Sequence, residues 1–193
     1  FNIIVIICFI LAFSEFVKII KEFSNRMSWL FFGIFYIFGS MFSLIYLRSI
    51  DVQLDSPFTF LLFAGVMVND SMAFIAGKII GGPKILPKIS PKKTYAGLIG
   101  GLVGSIIFIY LSDKFFLNGF SNFSLTDLDK IFLVFVFNIV GFFGDIFESY
   151  IKRKAQIKDS SALLLGHGGM LDRLDSLILT TPVTMFYVIA YYL

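Results

Sequence analysis

Ile131-Phe-Leu-Val-Phe-Val-Phe-Asn-Ile-Val-Gly-Phe-Phe-Gly-Asp145-Ile-Phe147 holds one charged residue in seventeen. A helix needs about 20 predominantly apolar residues to cross a bilayer, with a lower bound near 17. The stretch is long enough to span, and its acid stands close to one end. Five further apolar runs accompany it, at 1–17, 29–47, 58–80, 95–112 and 177–193. Composition agrees. The 193 residues are 58% hydrophobic and only 15% charged, with a mean hydropathy of +0.89. Ordinary soluble domains carry about 25% charged residues. Disorder, a coiled coil and a disulfide-stapled secreted module are excluded by the same numbers. The single cysteine, Cys8, cannot form an internal disulfide. The expected fold class is all-α: one polytopic transmembrane bundle of about six spans over 1–193. Because the chain opens on Phe1 rather than Met, it reads as a fragment with upstream spans missing.

Charge orients the runs. Thirteen of the sixteen basic residues fall in three alternate polar stretches, 18–28, 78–93 and 148–176. Arg48, Lys114 and Lys130 lie on the other side. Such asymmetry places the Lys-rich side in the cytoplasm. Lys-rich loops at that face bind phosphates or anionic headgroups, or do no more than set topology.

Four segments carry polar groups that apolar helices avoid. Asn69, Asp70 and Ser71 interrupt the third run; an acid at that depth faces a cavity or a partner. The fifth run closes on Asp145, Glu148, Ser149, Lys152 and Arg153. Helical spacing puts Asp145, Glu148, Ser149 and Lys152 on one stripe. A pair of acids there calls for a cation, and oxygen ligands favour Mg²⁺, which also takes substrate phosphates; a salt-bridged helix end is the plain alternative. Ser90-Pro91-Lys92-Lys93-Thr94 reads as the start of the fourth span, with Ser90 as N-cap and Pro91 at N1. Two lysines in a first turn oppose the helix dipole, as an anion site would want; snorkelling interface lysines are the alternative. The last segment holds Lys158, Asp159, Ser160, Ser161, then Gly166, His167, Gly168, Gly169, Asp172, Arg173, Asp175 and Ser176. Glycines let a backbone approach phosphates. His167, the lone histidine, is a general base or a structural donor. Acids, bases and a glycine turn on one membrane face fit metal-assisted phosphoryl or nucleotidyl transfer. The P-loop pattern is missing, as are G-x-S-x-G, H-E-x-x-H and C-x-x-C.

Three motifs in order resemble the phosphatidate cytidylyltransferases, or CDP-diacylglycerol synthases. They are Asp70-Ser71-x-Ala73-Phe74-x-x-Gly77-Lys78; Ser90-Pro91-Lys92-Lys93-Thr94-Tyr95 with Gly97, Gly100 and Gly101; and Gly144-Asp145-x-x-Glu148-Ser149 running through Lys152-Arg153, Lys158-Asp159 and Ser161 to His167-Gly168-Gly169-x-x-Asp172-Arg173-x-Asp175. The likeness covers roughly 69–193, and the first two spans are compatible with it. It implies transfer of CMP from CTP to phosphatidate, giving CDP-diacylglycerol and pyrophosphate for phospholipid biosynthesis. It implies Mg²⁺ on Asp145 and Asp172; a second, monovalent cation and a homodimer stay open. On this reading Lys92, Lys93, Lys152, Arg153, Lys158 and Arg173 neutralise phosphates. Gly168 and Gly169 shape the nucleotide pocket, while Asp70, Asp159 and His167 orient groups around it. Ser90, Thr94, Glu148, Ser149 and Asp175 complete the expected substrate site. No nucleic acid is expected; the expected setting is a bacterial inner membrane with the site facing the cytoplasm. Ala96, Leu165 and the Gly81-Gly82-Pro83-Lys84 turn depart from the family pattern. A different lipid nucleotidyl- or phosphotransferase and an ion or lipid transporter through Asp70 and Asp145 are the alternatives. An intramembrane aspartyl protease is disfavoured, because Asp145 follows Phe143-Gly144 instead of Gly-x-Gly and no Pro-Ala-Leu occurs.

Overall fold

The computed structural model describes residues 1–117, 123–161, 163 and 168–193. Among the described residues six helices are long and apolar enough to cross a membrane: α1 (Asn2–Ile19), α2 (Arg26–Leu54), α3 (Phe58–Ile79), α4 (Tyr95–Phe116), α5 (Asp127–Lys154) and α6 (Leu171–Tyr192). Each apolar run therefore became one helix. Several helices run on into polar sequence, because long Lys and Arg side chains reach the interface while their backbone stays helical. α5 begins at Asp127, ahead of the apolar run that opens at Ile131, and its start is encoded locally. Thr126 and Asp129 form a capping box, which closes two orphan backbone donors reciprocally. Pro182 lies inside α6 and cannot donate to the preceding turn. Threonines flank it with their hydroxyls turned back onto the helix: Thr181 donates to the Leu177 carbonyl (2.7 Å) and Thr184 to that of Thr180 (2.9 Å), so neither hydroxyl is left unpaired in the apolar layer.

The fourth span departs from the sequence reading. Ser90 is not its N-cap, and Lys92 and Lys93 are not in its first turn. Ser90–Thr94 is a strand, β2, paired antiparallel with β1 (Lys84–Leu86). α4 starts at Tyr95, with the Thr94 hydroxyl accepting the Gly97 N–H at 3.0 Å. The reason is the proline: a residue before Pro is pushed to extended backbone, and Pro itself is tolerated on an edge strand. The dipole argument for an anion at that helix start falls with it. Among the described residues the otherwise all-α fold thus carries one two-stranded ribbon, between α3 and α4.

Two apolar clusters hold the bundle. One joins α1 and α2 to the start of α6 through Phe9, Phe16, Ile37 and Leu171. The other joins α3, α4, α5 and the far half of α6 through Leu61, Leu62, Leu133 and Val188. Lipid is as apolar as these side chains, so close packing and hydrogen bonds must add specificity. α3 and α4 supply both. A Cβ at Gly97 would meet the Ala73 carbonyl at 2.8 Å, and one at Gly101 would come within 3.0 Å of the Asn69 and Asn138 amide nitrogens. Asn69 Nδ2 donates to Ser105 Oγ (2.9 Å), and Asn138 Nδ2 donates to the Leu98 carbonyl (3.0 Å).

Gly101→Leu is expected to destabilise the bundle by about 1–3 kcal/mol through overpacking. Gly39, whose Cβ would meet nothing within 4 Å, should tolerate alanine with a change of less than about 1 kcal/mol, in the stabilising direction. Thermal melts of the two variants in detergent check the contrast.

Candidate active site

A cavity of about 700 Å³ opens between α3, β2, α4, α5 and α6. Nine of the residues singled out from the sequence line it: Asp70, Ser90, Lys92, Lys93, Thr94, Asp145, Asp172, Arg173 and Asp175. They arrive from four different segments. Asp70 comes from the second half of α3, immediately after the Asn69 that anchors α4. The ribbon carries Ser90, Lys92 and Lys93 across the cavity's end, and its exit, Thr94, caps α4. α5 supplies Asp145. The first two turns of α6 supply Asp172, Arg173 and Asp175. A Cβ at Gly144 would strike the Asp175 carbonyl at 2.7 Å, so this glycine lets α5 and α6 close on one another just where their acids face the cavity.

The acids differ in what they hold. Lys93 Nζ sits 2.6 Å from Asp145 Oδ2 and 4.6 Å from the Phe142 ring centroid. Ser149 Oγ donates to Asp145 Oδ1 at 3.3 Å. Asp172 is the most heavily engaged. Its Oδ1 takes Lys152 Nζ (2.6 Å), and its Oδ2 takes the Ser160 and Gly169 N–H groups (2.9 and 2.7 Å) with Ser160 Oγ 2.9 Å away. Three of these donors crowd Oδ2, whereas Oδ1 takes Lys152 alone, so Asp172 keeps acceptor capacity on that oxygen. Lys152 is buried and also pairs with Glu148, at 2.5 Å. Asp175 Oδ1 accepts its neighbour Ser176 N–H at 2.6 Å.

Glu148, Ser149 and Lys152 thus stand behind the lining acids and orient them. Gly168 and Gly169 form the turn above Asp172. Gly168 has φ +81°, and a Cβ there would lie 2.7 Å from Asp172 Oδ2; glycine alone permits this backbone at this distance. Arg153 is exposed and ties the ribbon down, with Nε donating to the Ile89 carbonyl (3.2 Å) and Nη1 to that of Ile157 (2.9 Å). Lys158 and Asp159 are exposed, outside the cavity lining. His167 lies outside the described residues, as does Leu165.

Sequence reasoning passed over one acid. Glu15 on α1 is 2% exposed. Its Oε1 accepts Ser161 Oγ (2.6 Å) and the Met170 N–H (3.1 Å), and its Oε2 accepts the Leu171 N–H (2.8 Å) with Ser160 Oγ at 2.9 Å. The signal was present: Glu15 is the only charged residue in the run 1–17, and intramembrane acids have partners. What the run does not reveal is that the partner lies about 145 residues away.

One end of the cavity is therefore charged with both signs, Lys92, Lys93 and Arg173 against four carboxylates. Deeper along α3 the lining turns apolar: Met67 and Phe63 stand one and two turns beyond Asp70, while Phe74, Phe142 and Leu177 line the cavity nearer the charged groups. From Asp70 to Phe63 a helix rises about 10 Å, which carries the cavity away from the Lys-rich face into the hydrocarbon layer. Such a space can hold an anionic head with a hydrocarbon tail, and can neutralise more than one phosphate.

Comparison with known proteins agrees with this shape. The model of the cytidylyltransferase family matches residues 1–191, taking in the two spans that the sequence motifs leave outside. The phosphatidate cytidylyltransferase of Rickettsia felis is 42% identical over 129 residues, covering 65% of this chain and 56% of the relative. That of Brucella abortus is 35% identical over 170 residues, 84% of this chain and 57% of the relative. That of Helicobacter pylori is 35% identical over 117 residues, 61% of this chain and 41% of the relative. The chain spans about half the length of the curated relatives it matches. With a match over nearly its whole length, and with the acids, lysines and glycine turn of the three motifs gathered around one cavity, the chain belongs to the cytidylyltransferase family.

Proposed function

We propose that this chain carries the active site of a phosphatidate cytidylyltransferase, transferring CMP from CTP to phosphatidate. The observation that carries the reading is the two-ended cavity. Its charged end suits two phosphate-bearing reactants, and its apolar end suits acyl chains arriving from the bilayer. A phosphatidate phosphate oxygen attacks the α-phosphorus of CTP. The new O–P bond forms as the bond to the β-phosphate oxygen breaks, and pyrophosphate leaves with that electron pair. The attacking oxygen is already ionised, so no strong general base is needed, and catalysis is positioning and charge neutralisation. Lys92, Lys93 and Arg173 hold phosphate oxygens. Lys152 and the glycine turn keep Asp172 in place, and Ser149 does the same for Asp145.

The residues fit Mg²⁺. Among the described residues no three acids converge into a ready-made cage, but Mg²⁺ is typically bound by one or two carboxylates together with substrate phosphates. Asp145 and Asp172 would hold it, with Asp70 and Asp175 lining the same cavity. Each of the two is matched by a lysine, Lys93 and Lys152. When bound, the ion supplies positive charge against the phosphates. The thirteen basic residues flanking this end support a cytoplasmic site in a bacterial inner membrane.

Purified protein in phosphatidate micelles with α-labelled CTP is expected to put label into lipid only when Mg²⁺ is present. Label in lipid with another acceptor and none with phosphatidate would point to a different lipid nucleotidyltransferase; no nucleotide turnover with ion flux in liposomes would point to a transporter. Asp145→Asn should lower kcat/KM at least about 100-fold, in the range seen when one charge-stabilising group is lost, while the melting temperature holds. For orientation, a cysteine placed at exposed Lys88 in a Cys8→Ser background should react with impermeant maleimide in inside-out vesicles and stay silent in right-side-out ones.

A further inference from the structure

Glu15 belongs to the first span, yet everything it accepts comes from the segment that opens the sixth. The backbone N–H groups of three consecutive residues are divided between two acids. Gly169 N–H goes to Asp172, whereas those of Met170 and Leu171 go to Glu15. Leu171 is the first residue of α6, and the opening N–H groups of a helix have no partner within it. Glu15 therefore caps α6 from another helix, with its negative charge at the positive end of the helix dipole. The cap is seated by a residue without a side chain: a Cβ at Gly169 would lie 2.7 Å from the Glu15 carboxyl carbon.

The two acids also meet at one hydroxyl. Ser160 Oγ is 2.9 Å from Glu15 Oε2 and 2.9 Å from Asp172 Oδ2. A hydroxyl has one hydrogen to give, so the carboxylates stand on either side of a single shared donor. Ser161 Oγ gives its own hydrogen to Glu15 alone. Glu15 thus holds Ser160 and Ser161 on one side of the turn and Met170 and Leu171 on the other, and Asp172 takes backbone donors from Ser160 and from Gly169 beside them.

We infer, on the transferase reading of Asp172, that Glu15 is a positioning residue for that carboxylate. It touches no cavity-lining atom itself. It fixes Ser160 and the start of α6, and so sets where Asp172, Arg173 and Asp175 project. Outer partners of a working carboxylate typically matter about 10–100-fold.

The test is Glu15→Gln in the full chain, in detergent. Glutamine keeps the shape but turns one acceptor into a donor that faces other donors. The expected result is a kcat for lipid-linked CMP lower by about 10–100-fold, with KM for CTP and phosphatidate moved less than about threefold. Hydrogen exchange is expected to quicken in the peptides carrying Ser160 and Gly169, whose N–H groups serve Asp172 and not Glu15. Wild-type exchange overturns the inference, whatever kcat does. So does a general loss of protection and melting temperature with full activity per folded molecule, which is a mere brace. If Glu15→Gln does not fold, Ser160→Ala keeps the backbone donor and removes the shared hydroxyl; it should reproduce the kcat loss and faster exchange at Gly169, and wild-type behaviour in it overturns the inference. If wild-type protein transfers no CMP, the transferase reading fails separately, and exchange alone decides whether Glu15 holds the donors of Asp172.

Discussion

The ammonium of Lys152 is the pivot of this molecule. It is buried, sits between Glu148 and Asp172 at 2.5 and 2.6 Å, and bridges α5 and α6. Removing one partner of a buried ion pair costs about 3–5 kcal/mol, because the other charge is left alone. That constraint propagates. Asp172, fixed by Lys152, collects Ser160 and Gly169; these lie against Glu15; and Glu15 brings α1 to the start of α6. A chain of carboxylates and their donors thus runs through the Lys-rich half of the bundle, where apolar packing alone would allow helices to slide.

The opposite half is organised by the same device with different residues. Asp51, near the end of α2, is buried and accepts the N–H groups of Phe58 and Thr59 (3.0 and 2.8 Å), capping α3 across the turn. Asp129 accepts the phenol hydroxyls of Tyr187 and Tyr192 (2.6 and 2.7 Å), tying α5 to the far end of α6. Hydrocarbon offers no competing water, so each acid recruits whatever donors its neighbours can turn toward it. The cavity lies between two such belts, and its walls are positioned from both ends.

Six spans, their order and the Lys-rich side were legible from periodicity and charge, because bilayer thickness and helix rise leave little freedom. Of the nine expected residues that line the cavity, the acids and bases drew notice by their chemistry at membrane depth, and Ser90 and Thr94 through the motif they share with the family. The ribbon was not: Ser90 and Pro91 suit a helix start as well as an edge strand, and only the pairing with Lys84–Leu86 decides between them. The partner of Glu15 was not either. An acid in a span announces that it has a partner but not which one, and four donors brought from the segment before α6 are a product of tertiary folding. Asn69 and Asn138 illustrate the same limit. Their amides meet around Gly101 from two different helices, and sequence spacing has no means of saying so.

The ribbon has a further consequence for a protein crowded among copies of itself. Both of its strands are edges, and an edge strand invites another chain to add on and zip into a larger sheet. Here prolines recur at Pro83, Pro87 and Pro91, each followed by a lysine, Lys84, Lys88 and Lys92. Pro91 leaves a gap in the donors of β2, Pro83 and Pro87 bracket β1, and the lysines repel a second ribbon of the same sequence. Each of these features works against strand exchange through the short sheet beside the cavity.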